Sequence, residues 1–384
     1  MTMRSYVTVL LPLAVGVGVG CSGCQVRRAL KQPIPASSVV GIHDPRTERI
    51  ANVIRETMRK EGIPGLSIAV IDHGEMVWAQ GFGWRDVGKR LPVDTDTQFQ
   101  VGSISKPVTG LAVLLMSGAG KLDLNADVNS YLKGWQLESK YTNGPVTLRQ
   151  LLCHRAGTVP HGFAGFSESR TPPALLDILS RHYFLNGPVK VKYPPGGFHY
   201  SGGGYCVIQK ALEDTTHLPF EDTMNQVLLE PLGMRRSHFR QPPLESETTN
   251  TAHGYGVLKA LAYGGRWGVF PQKAAAGLWT TPQDLARWIV AVQKAQSGDA
   301  AGPIPPAAAK EFLEPQFDSG MGMGICLDGE GEHRGFFFAG MNPGFVAGFG
   351  AGVSNGRAWI IMTNAEKYRC KTPILKAVLE EFRW

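Results

Sequence analysis

The sequence lacks an apolar run long enough to cross a membrane. Its uncharged stretch Val7–Gly20 contains 14 residues, whereas a spanning helix needs about 20. Charged residues make up only 18% of the 384 residues and hydrophobic residues 43%, so the composition has none of the bias of a disordered chain. We find no internal repeat. A folded protein of one large domain or two lobes is therefore expected.

The cysteines of the expected folded part also show no close spacing. Cys153, Cys206, Cys326 and Cys370 are scattered singly, without the cysteine–cysteine or cysteine–histidine spacing of a metal site. In an oxidising compartment one or two disulfides are possible among them, but the sequence cannot pair them. We interpret these cysteines as structural and expect neither a metal nor a cofactor.

Positive charge is present without being concentrated. The formal net charge is +7, yet there is no basic stripe and no interleaving of basic with aromatic residues. Nucleic-acid binding usually needs one of these patterns. We therefore expect no nucleic-acid partner.

The first 20 residues have the pattern of a secretory signal peptide. Arg4 precedes the apolar run, and Cys21 follows it in the sequence GVGC. This is close to a bacterial lipoprotein site, at which Cys21 is lipidated, although Gly18 stands where a branched residue is usual. An ordinary signal peptide cut nearby is the alternative. The sequence predicts export to a bacterial periplasm or cell envelope, with membrane contact only through a lipid anchor at Cys21.

Local signals organise the rest of the chain. Residues 21–44 lack periodicity, and we predict a tether there. Asp44 can cap a helix that begins at Pro45 and ends near Gly62. A second helix is predicted from Pro282, and a last one over residues 372–382.

Strand signals occur near both ends of the folded part. LSIAVID and EMVWAQGFG flank the turn His73-Gly74, and FVAGFGAGV and RAWIIMTN flank Asn355-Gly356. The segment at roughly 107–270 is mainly helical between loops rich in proline and glycine. The sequence thus predicts an α+β domain of two lobes over residues 45–384. Both chain ends would build an antiparallel sheet flanked by helices, with a helical lobe beside it and the site in the crevice between them.

Three segments are candidates for chemistry. In VGSISK, Ser103 and Lys106 lie three residues apart, so both side chains share one helix face. A lysine can activate a serine only when burial lowers its pKa from about 10.4 towards neutrality. Without further context, the pair is equally the polar start of a helix.

The second and third segments lie far along the chain. Tyr200, in GGFHYSGGGY, can approach another hydroxyl and relay protons with Lys106, or it forms an aromatic lid. Phe338-Ala339-Gly340 reads as a strand whose backbone can hold a substrate or supply an oxyanion donor. An ordinary apolar strand is the alternative. His154 is interpreted as a hydrogen-bonding residue at a turn.

Over about Ile50–Trp384 the chain resembles the serine β-lactamase and penicillin-binding-protein superfamily. It is most similar to class C β-lactamases, the related D-alanyl peptidases and the family VIII carboxylesterases. The resemblance is carried, in order, by GIPGLSIAVIDHGEMVWAQGFGWRD, VGSISKPVTGLAVLLMSGAGKLDL, VTLRQLLCHRAGTVP, AAAGLWTTPQDLARW and NPGFVAGF.

This resemblance implies a β-lactamase/transpeptidase-like fold and an acyl-enzyme mechanism. Ser103 would attack a carbonyl, and Lys106 and Tyr200 would share the proton transfers, in an order that the sequence leaves open. The backbone amides of Ser103 and Met341 would form the oxyanion hole. The pattern GxSxG occurs in GVSNG, across the predicted Asn355-Gly356 hairpin turn, whereas the nucleophile elbow of another esterase fold needs a strand-to-helix turn.

Two departures from the family's motifs bear on the substrate. Gly202 stands where the second motif usually has Asn, and Phe338 stands where the third motif usually has Lys or His. We place Gly202, Phe338, Ala339 and Gly340 in the substrate-binding site. An uncharged aromatic wall favours an esterase acting on neutral acyl esters. The alternatives are a β-lactamase, a D-alanyl-D-alanine peptidase acting on peptidoglycan-derived substrates, and a catalytically idle envelope binding protein.

Overall fold

The computed structural model describes residues 22–141, 144–181, 187–262, 264–317 and 319–384. The predicted signal peptide, and Cys21 with its predicted lipidation, lie outside the described residues. Within those ranges, no helix combines the length and the apolar character that crossing a bilayer requires.

The strands of the described residues are numbered in chain order. They are β1 (Val40–Gly41), β2 (Gly65–Asp72), β3 (Glu75–Asp86), β4 (Leu91–Pro92), β5 (Phe99–Gln100), β6 (Thr158–Val159), β7 (Phe166–Ser167), β8 (Lys190–Val191), β9 (Gly268–Val269), β10 (Trp279–Thr280), β11 (Cys326–Asp328), β12 (Gly335–Asn342), β13 (Phe345–Gly352) and β14 (Ala358–Thr363).

The α-helices are numbered in the same way. They are α1 (Ser22–Leu30), α2 (Pro45–Glu61), α3 (Ser105–Gly118), α4 (Leu148–Leu152), α5 (Leu175–Ser180), α6 (Gly202–Thr216), α7 (Phe220–Met224), α8 (Val257–Ala262), α9 (Lys273–Ala276), α10 (Pro282–Gln296), α11 (Pro306–Leu313) and α12 (Lys371–Phe382).

Both chain ends build the main sheet, as the sequence predicts. The strand order is β1–β3–β2–β14–β13–β12–β11, with β4 pairing with β3 outside this path. The pairings are antiparallel, and the β2–β14 pairing joins the two ends of the chain. Helices α3 to α8 lie within residues 107–270, the segment predicted to be mainly helical, except that α3 begins at Ser105. This confirms the predicted α+β fold.

Local chemistry accounts for the element boundaries that the sequence predicts. The Asp44 side chain accepts the backbone N–H groups of the first turn of α2, and Gly62 ends that helix in the left-handed region, at φ 70°. His73 and Gly74 both have positive φ in the β2–β3 turn. Thr281 caps α10 by accepting the N–H of Asp284.

The sheet is buried on both faces. Along β2, Ile68 and Val70 belong to the core cluster shared with α2 and α12, whereas Ala69 and Ile71 belong to the cluster shared with α3 and α10. This alternation follows from the two-residue period of a strand. Two layers of helices therefore enclose the sheet, and the layer that contains α3 carries the candidate site.

The segment predicted as a tether differs in the structure. Residues 22–30 form α1, and Val26, Leu30 and Ile34 are buried in the same cluster as α2 and α12. Val40 pairs with Ala79 of β3. Three apolar residues at a spacing of four are only a weak helix signal, and Pro33 and Pro35 interrupt it. Docking against the sheet gives this segment its order, so it belongs to the folded domain.

The described cysteines form no disulfide. All five of them, including Cys24, are free thiols. Cys153, Cys206 and Cys370 are buried, and burial raises the pKa of Cys153 to about 12. A protonated, enclosed thiol is unreactive, which agrees with the structural interpretation of these residues.

Candidate active site

Ser103 lies in a short 3-10 turn, Gly102–Ile104, that leads directly into α3. Gly102 has φ 51°, in the left-handed region that favours glycine. This turn leaves the Ser103 side chain half-buried while the first turn of α3 is enclosed in the core. The sequence therefore places one accessible hydroxyl at the amino end of a buried helix.

Lys106 points from α3 to this hydroxyl. Its Nζ donates to Ser103 Oγ at 3.0 Å and to the carbonyl oxygen of Ala275 in α9 at 2.8 Å. Lys106 is 2% exposed, and this burial lowers its pKa to about 7. A substantial fraction of the amine is therefore unprotonated at neutral pH, as a base beside Ser103 requires. Ala275 lies in the AAAGLW segment noted in the sequence, but its contact with Lys106 was not predicted.

Tyr200 completes a cluster with Ser103 and Lys106. Lys106 Nζ lies 5.0 Å from the centre of the Tyr200 ring. Burial raises the pKa of Tyr200 far above its usual range, and a hydrogen-bonding interaction with the Ser103 side chain opposes that shift. The hydroxyl of Tyr200 thus remains protonated and faces Ser103. The structure brings together the three side chains that the sequence analysis selects.

The Ser103 turn packs directly against the backbone of β12. A Cβ atom added to Gly340 would lie 1.9 Å from the carbonyl oxygen of Val101 and 2.7 Å from the amide nitrogen of Ser103. A Cβ atom added to Gly102 would lie 2.7 Å from backbone atoms of Met341, including its nitrogen. Both glycines are needed for this approach, which brings the predicted oxyanion residues Ser103 and Met341 together.

Asn342, the first residue of the NPGFVAGF segment, fixes the end of β12, a role that was not predicted. Its Nδ2 donates to Gln100 Oε1 and to the carbonyl oxygen of Ala276, each at 3.1 Å. Asn342 is 2% exposed. Ala276 directly follows Ala275, whose carbonyl oxygen binds Lys106. One turn of α9 therefore holds both Lys106 and the end of β12.

The predicted substrate-binding residues lie around this cluster. Phe338 and Gly340 share a face of β12, and Phe338 is 4% exposed within the main core cluster. Ala339 lies on the opposite face of that strand and is half-buried. Gly202 lies two residues after Tyr200 and is the first residue of α6. At position 338 the site therefore has an apolar side chain and no charge.

An aromatic residue lies against Gly202. A Cβ atom at Gly202 would lie 3.1 Å from Cε2 of Phe163 and 3.1 Å from the carbonyl oxygen of His161. The Gly202 N–H donates to that same carbonyl at 2.8 Å. A Cβ atom at position 202 would thus require the Phe163 ring to give way by a few tenths of an ångström. No local sequence signal marks Phe163, because only the fold brings residues 161–163 to the start of α6.

The histidines near the site have different surroundings. His154 is buried at a turn with φ 59°, and its Nδ1 accepts the N–H of Ser201 at 3.1 Å, as its structural interpretation predicts. The His161 ring packs on Tyr200 with 4.8 Å between ring centres. His199 instead stacks on Tyr193. Burial lowers the pKa of both His154 and His161, so both rings are uncharged near neutral pH.

The described residues contain no group of three or more His, Cys, Asp or Glu side chains arranged to hold a metal ion. Ser103, Lys106 and Tyr200 can together support nucleophilic chemistry through proton transfer, and the backbone of Met341 packs against the turn that carries Ser103.

Comparison with known proteins finds similarity over most of the chain. A family model described as beta-lactamase matches residues 50–379. "Protein flp" of Staphylococcus aureus (strain N315) is 25% identical over 251 residues, which are 63% of this chain and 48% of that protein. The chain thus spans about half the length of this curated relative.

Two solved structures share the fold. The octameric penicillin-binding protein homologue from Pyrococcus abyssi gives a TM-score of 0.68 at 22% identity, covering 88% of this chain and 77% of that one. A β-lactamase/D-alanine carboxypeptidase from Yersinia pestis, complexed with citrate, gives 0.67 at 19% identity, covering 88% and 99%.

Proposed function

This chain belongs to the β-lactamase family of serine hydrolases, and we propose that it hydrolyses neutral acyl esters through an acyl-enzyme formed on Ser103. The contact between Lys106 Nζ and Ser103 Oγ carries the proposal, because it joins a half-buried hydroxyl to an amine whose pKa is about 7. A neutral amine at 3.0 Å can accept the hydroxyl proton.

Lys106 is the initial base in this mechanism. The pKa of Lys106 is lowered towards neutrality, whereas the pKa of Tyr200 is raised far above it. Near pH 7 the amine is available as a base and the phenolate is not. Tyr200 instead acts as a protonated relay between Lys106 and the leaving group.

Acylation and deacylation then follow in a balanced sequence. Ser103 Oγ bonds to the ester carbonyl carbon as its proton moves to Lys106 Nζ, and the amides of Ser103 and Met341 hold the developing oxyanion. One such donor is worth roughly 2.7–4 kcal/mol. The carbon–oxygen bond to the alcohol breaks, and that oxygen receives a proton through Tyr200. Water then attacks the acyl-enzyme, releases the acid and returns the proton to Ser103.

The preference for neutral esters rests on the aromatic surroundings. Phe338 is a buried apolar side chain, and Phe163 lies against the bare Cα of Gly202. Neither residue can pair with the carboxylate of a β-lactam or a peptide, and neither can bind an amide. A neutral ester with an apolar acyl group, and with neither a carboxylate nor an amide, is better suited to these aromatic residues.

The substrate class is tested by direct comparison on the chain from Ser22 to Trp384. We expect kcat/KM for p-nitrophenyl butyrate to exceed that for the cephalosporin nitrocefin by at least about 100-fold. Release of D-alanine from a D-alanyl-D-alanine peptide is measured beside them. A larger kcat/KM for nitrocefin or for the peptide would contradict the ester assignment, and no turnover of any of the three would favour the binding protein.

We also propose that the protein is exported and lipidated at Cys21. The proposal rests on the apolar run Val7–Gly20 and the sequence GVGC that ends at Cys21. Labelled palmitate should be incorporated into the full chain in a bacterial host and not into Cys21→Ala. Export with no label in either form would instead indicate an ordinary signal peptide.

A further inference from the structure

His154 holds the backbone on both sides of Tyr200. Its carbonyl oxygen accepts the N–H of His199 at 2.7 Å, and its Nδ1 accepts the N–H of Ser201 at 3.1 Å. These donors belong to the residues immediately before and after Tyr200. A residue that follows α4 thus fixes the loop that carries the tyrosine.

The imidazole also packs on the tyrosine itself. The ring centres of His154 and Tyr200 are 4.3 Å apart, with 36° between the ring planes. A backbone N–H faces Nδ1, so this nitrogen carries a lone pair and the ring proton lies on Nε2. Burial and the nearby charge of Lys106 hold the pKa of His154 well below its usual range. The ring therefore stays neutral and keeps its acceptor.

Two unfavourable features accompany this arrangement. His154 adopts φ 59°, which is uncommon for a residue other than glycine. Its Nε2 atom is buried and has no hydrogen-bond partner among the described residues. Neither feature favours a histidine for packing alone. Both are accounted for by the need for an acceptor at Nδ1 and a flat ring against Tyr200.

We propose that His154 is a positioning residue that holds the Tyr200 hydroxyl beside Ser103, where it delivers a proton to the leaving group. His154 does not touch the reacting atoms. The inference rests on the proposed function, in which Tyr200 protonates the departing alkoxide and regains a proton from Lys106. A basic alkoxide needs that proton to leave, whereas p-nitrophenolate leaves without it.

The test compares two substitutions of His154 on ethyl butyrate and on p-nitrophenyl butyrate. His154→Leu removes the acceptor, and we expect kcat on the ethyl ester to fall about 100-fold. We expect kcat on the p-nitrophenyl ester to fall less than about tenfold, with KM for both esters within about threefold, because ground-state binding is unchanged. His154→Asn keeps an acceptor oxygen and tolerates positive φ. It should restore kcat on the ethyl ester to within about threefold of wild type.

His199→Leu is the matched control. Its ring stacks on Tyr193 with 4.3 Å between ring centres, and its backbone N–H, which binds His154, is retained. Circular dichroism establishes that each variant is folded, and His154→Met replaces the leucine variant if that one is not. Equal losses on the two esters would overturn the proposal, as would an asparagine variant no more active than the leucine variant.

A second measurement separates this inference from the proposed function. If wild type cleaves neither ester, the ester assignment fails, and acylation of Ser103 by a fluorescent penicillin is measured instead. The leaving nitrogen of penicillin also requires a proton. Slower acylation in His154→Leu with recovery in His154→Asn would support the positioning role. Equal acylation rates in all variants, or no acylation of wild type, would overturn it.

Discussion

Replacing Ser103 with Ala is expected to lower kcat/KM for p-nitrophenyl butyrate by at least about 10⁴-fold. The substitution removes the oxygen that accepts from Lys106 Nζ at 3.0 Å, and no acyl-enzyme can form without it. Loss of the nucleophile costs about 10⁶-fold in another serine hydrolase, where binding and the oxyanion hole leave residual catalysis. The initial rate at several enzyme concentrations measures the loss.

Ser117→Ala provides the matched control for this experiment. Ser117 lies on the same helix, α3, at its far end, roughly 20 Å along the axis from Ser103. The chemical change is identical, so kcat/KM should stay within about twofold of wild type. Equal turnover by wild type and Ser103→Ala would show that Ser103 is not the nucleophile, and the proposed mechanism would be wrong.

The activity is expected to rise with pH and to reach half of its maximum near pH 7. The base is the unprotonated amine of Lys106, and burial lowers its pKa to about 7. Below that pH the ammonium form has no lone pair to accept the Ser103 proton, and above it the rate reaches a plateau. The pH profile of kcat/KM measures this ionisation in the free enzyme.

Two substitutions of Lys106 test the assignment. Lys106→Met keeps the apolar stem and loses the base, so kcat/KM should fall about 10³-fold. Lys106→Arg keeps a charge that is never lost in this pH range, and it should be as inactive as the methionine variant at every pH. Recovery of activity in the arginine variant would mean that Lys106 acts through its charge and not as a base.

The same pKa also predicts how stability changes with pH. The folded chain loses the Lys106 proton near pH 7, whereas the unfolded chain keeps it to about pH 10.4. Between these values the unfolded state binds more protons, so this group makes the free energy of unfolding rise with pH, by about 1.4 kcal/mol per unit. Lys371, whose pKa burial lowers to about 8, contributes in the same direction. The difference between wild type and Lys106→Met in urea unfolding isolates Lys106. A pH-independent difference would contradict the lowered pKa.

Local sequence determined the elements whose signals lie within a few residues. The Asp44 cap with Gly62 defined α2, and the turns at His73-Gly74 and Asn355-Gly356 defined two hairpins. The three-residue spacing of Ser103 and Lys106 likewise placed both side chains on one helix face. Hydrogen bonds between residues close in sequence, and the period of the backbone, decide these features without reference to the rest of the chain.

Only the tertiary structure decided the chemistry of those same residues. The pKa of Lys106 depends on burial against residues such as Ala275, and the loop that carries Tyr200 donates two backbone hydrogen bonds to His154. The order of residues 22–44 depends on docking against the sheet. Burial and hydrogen bonds between distant segments exist only after the chain has folded. The sequence could therefore propose which residues meet at Ser103, while the fold set their distances, their burial and their protonation.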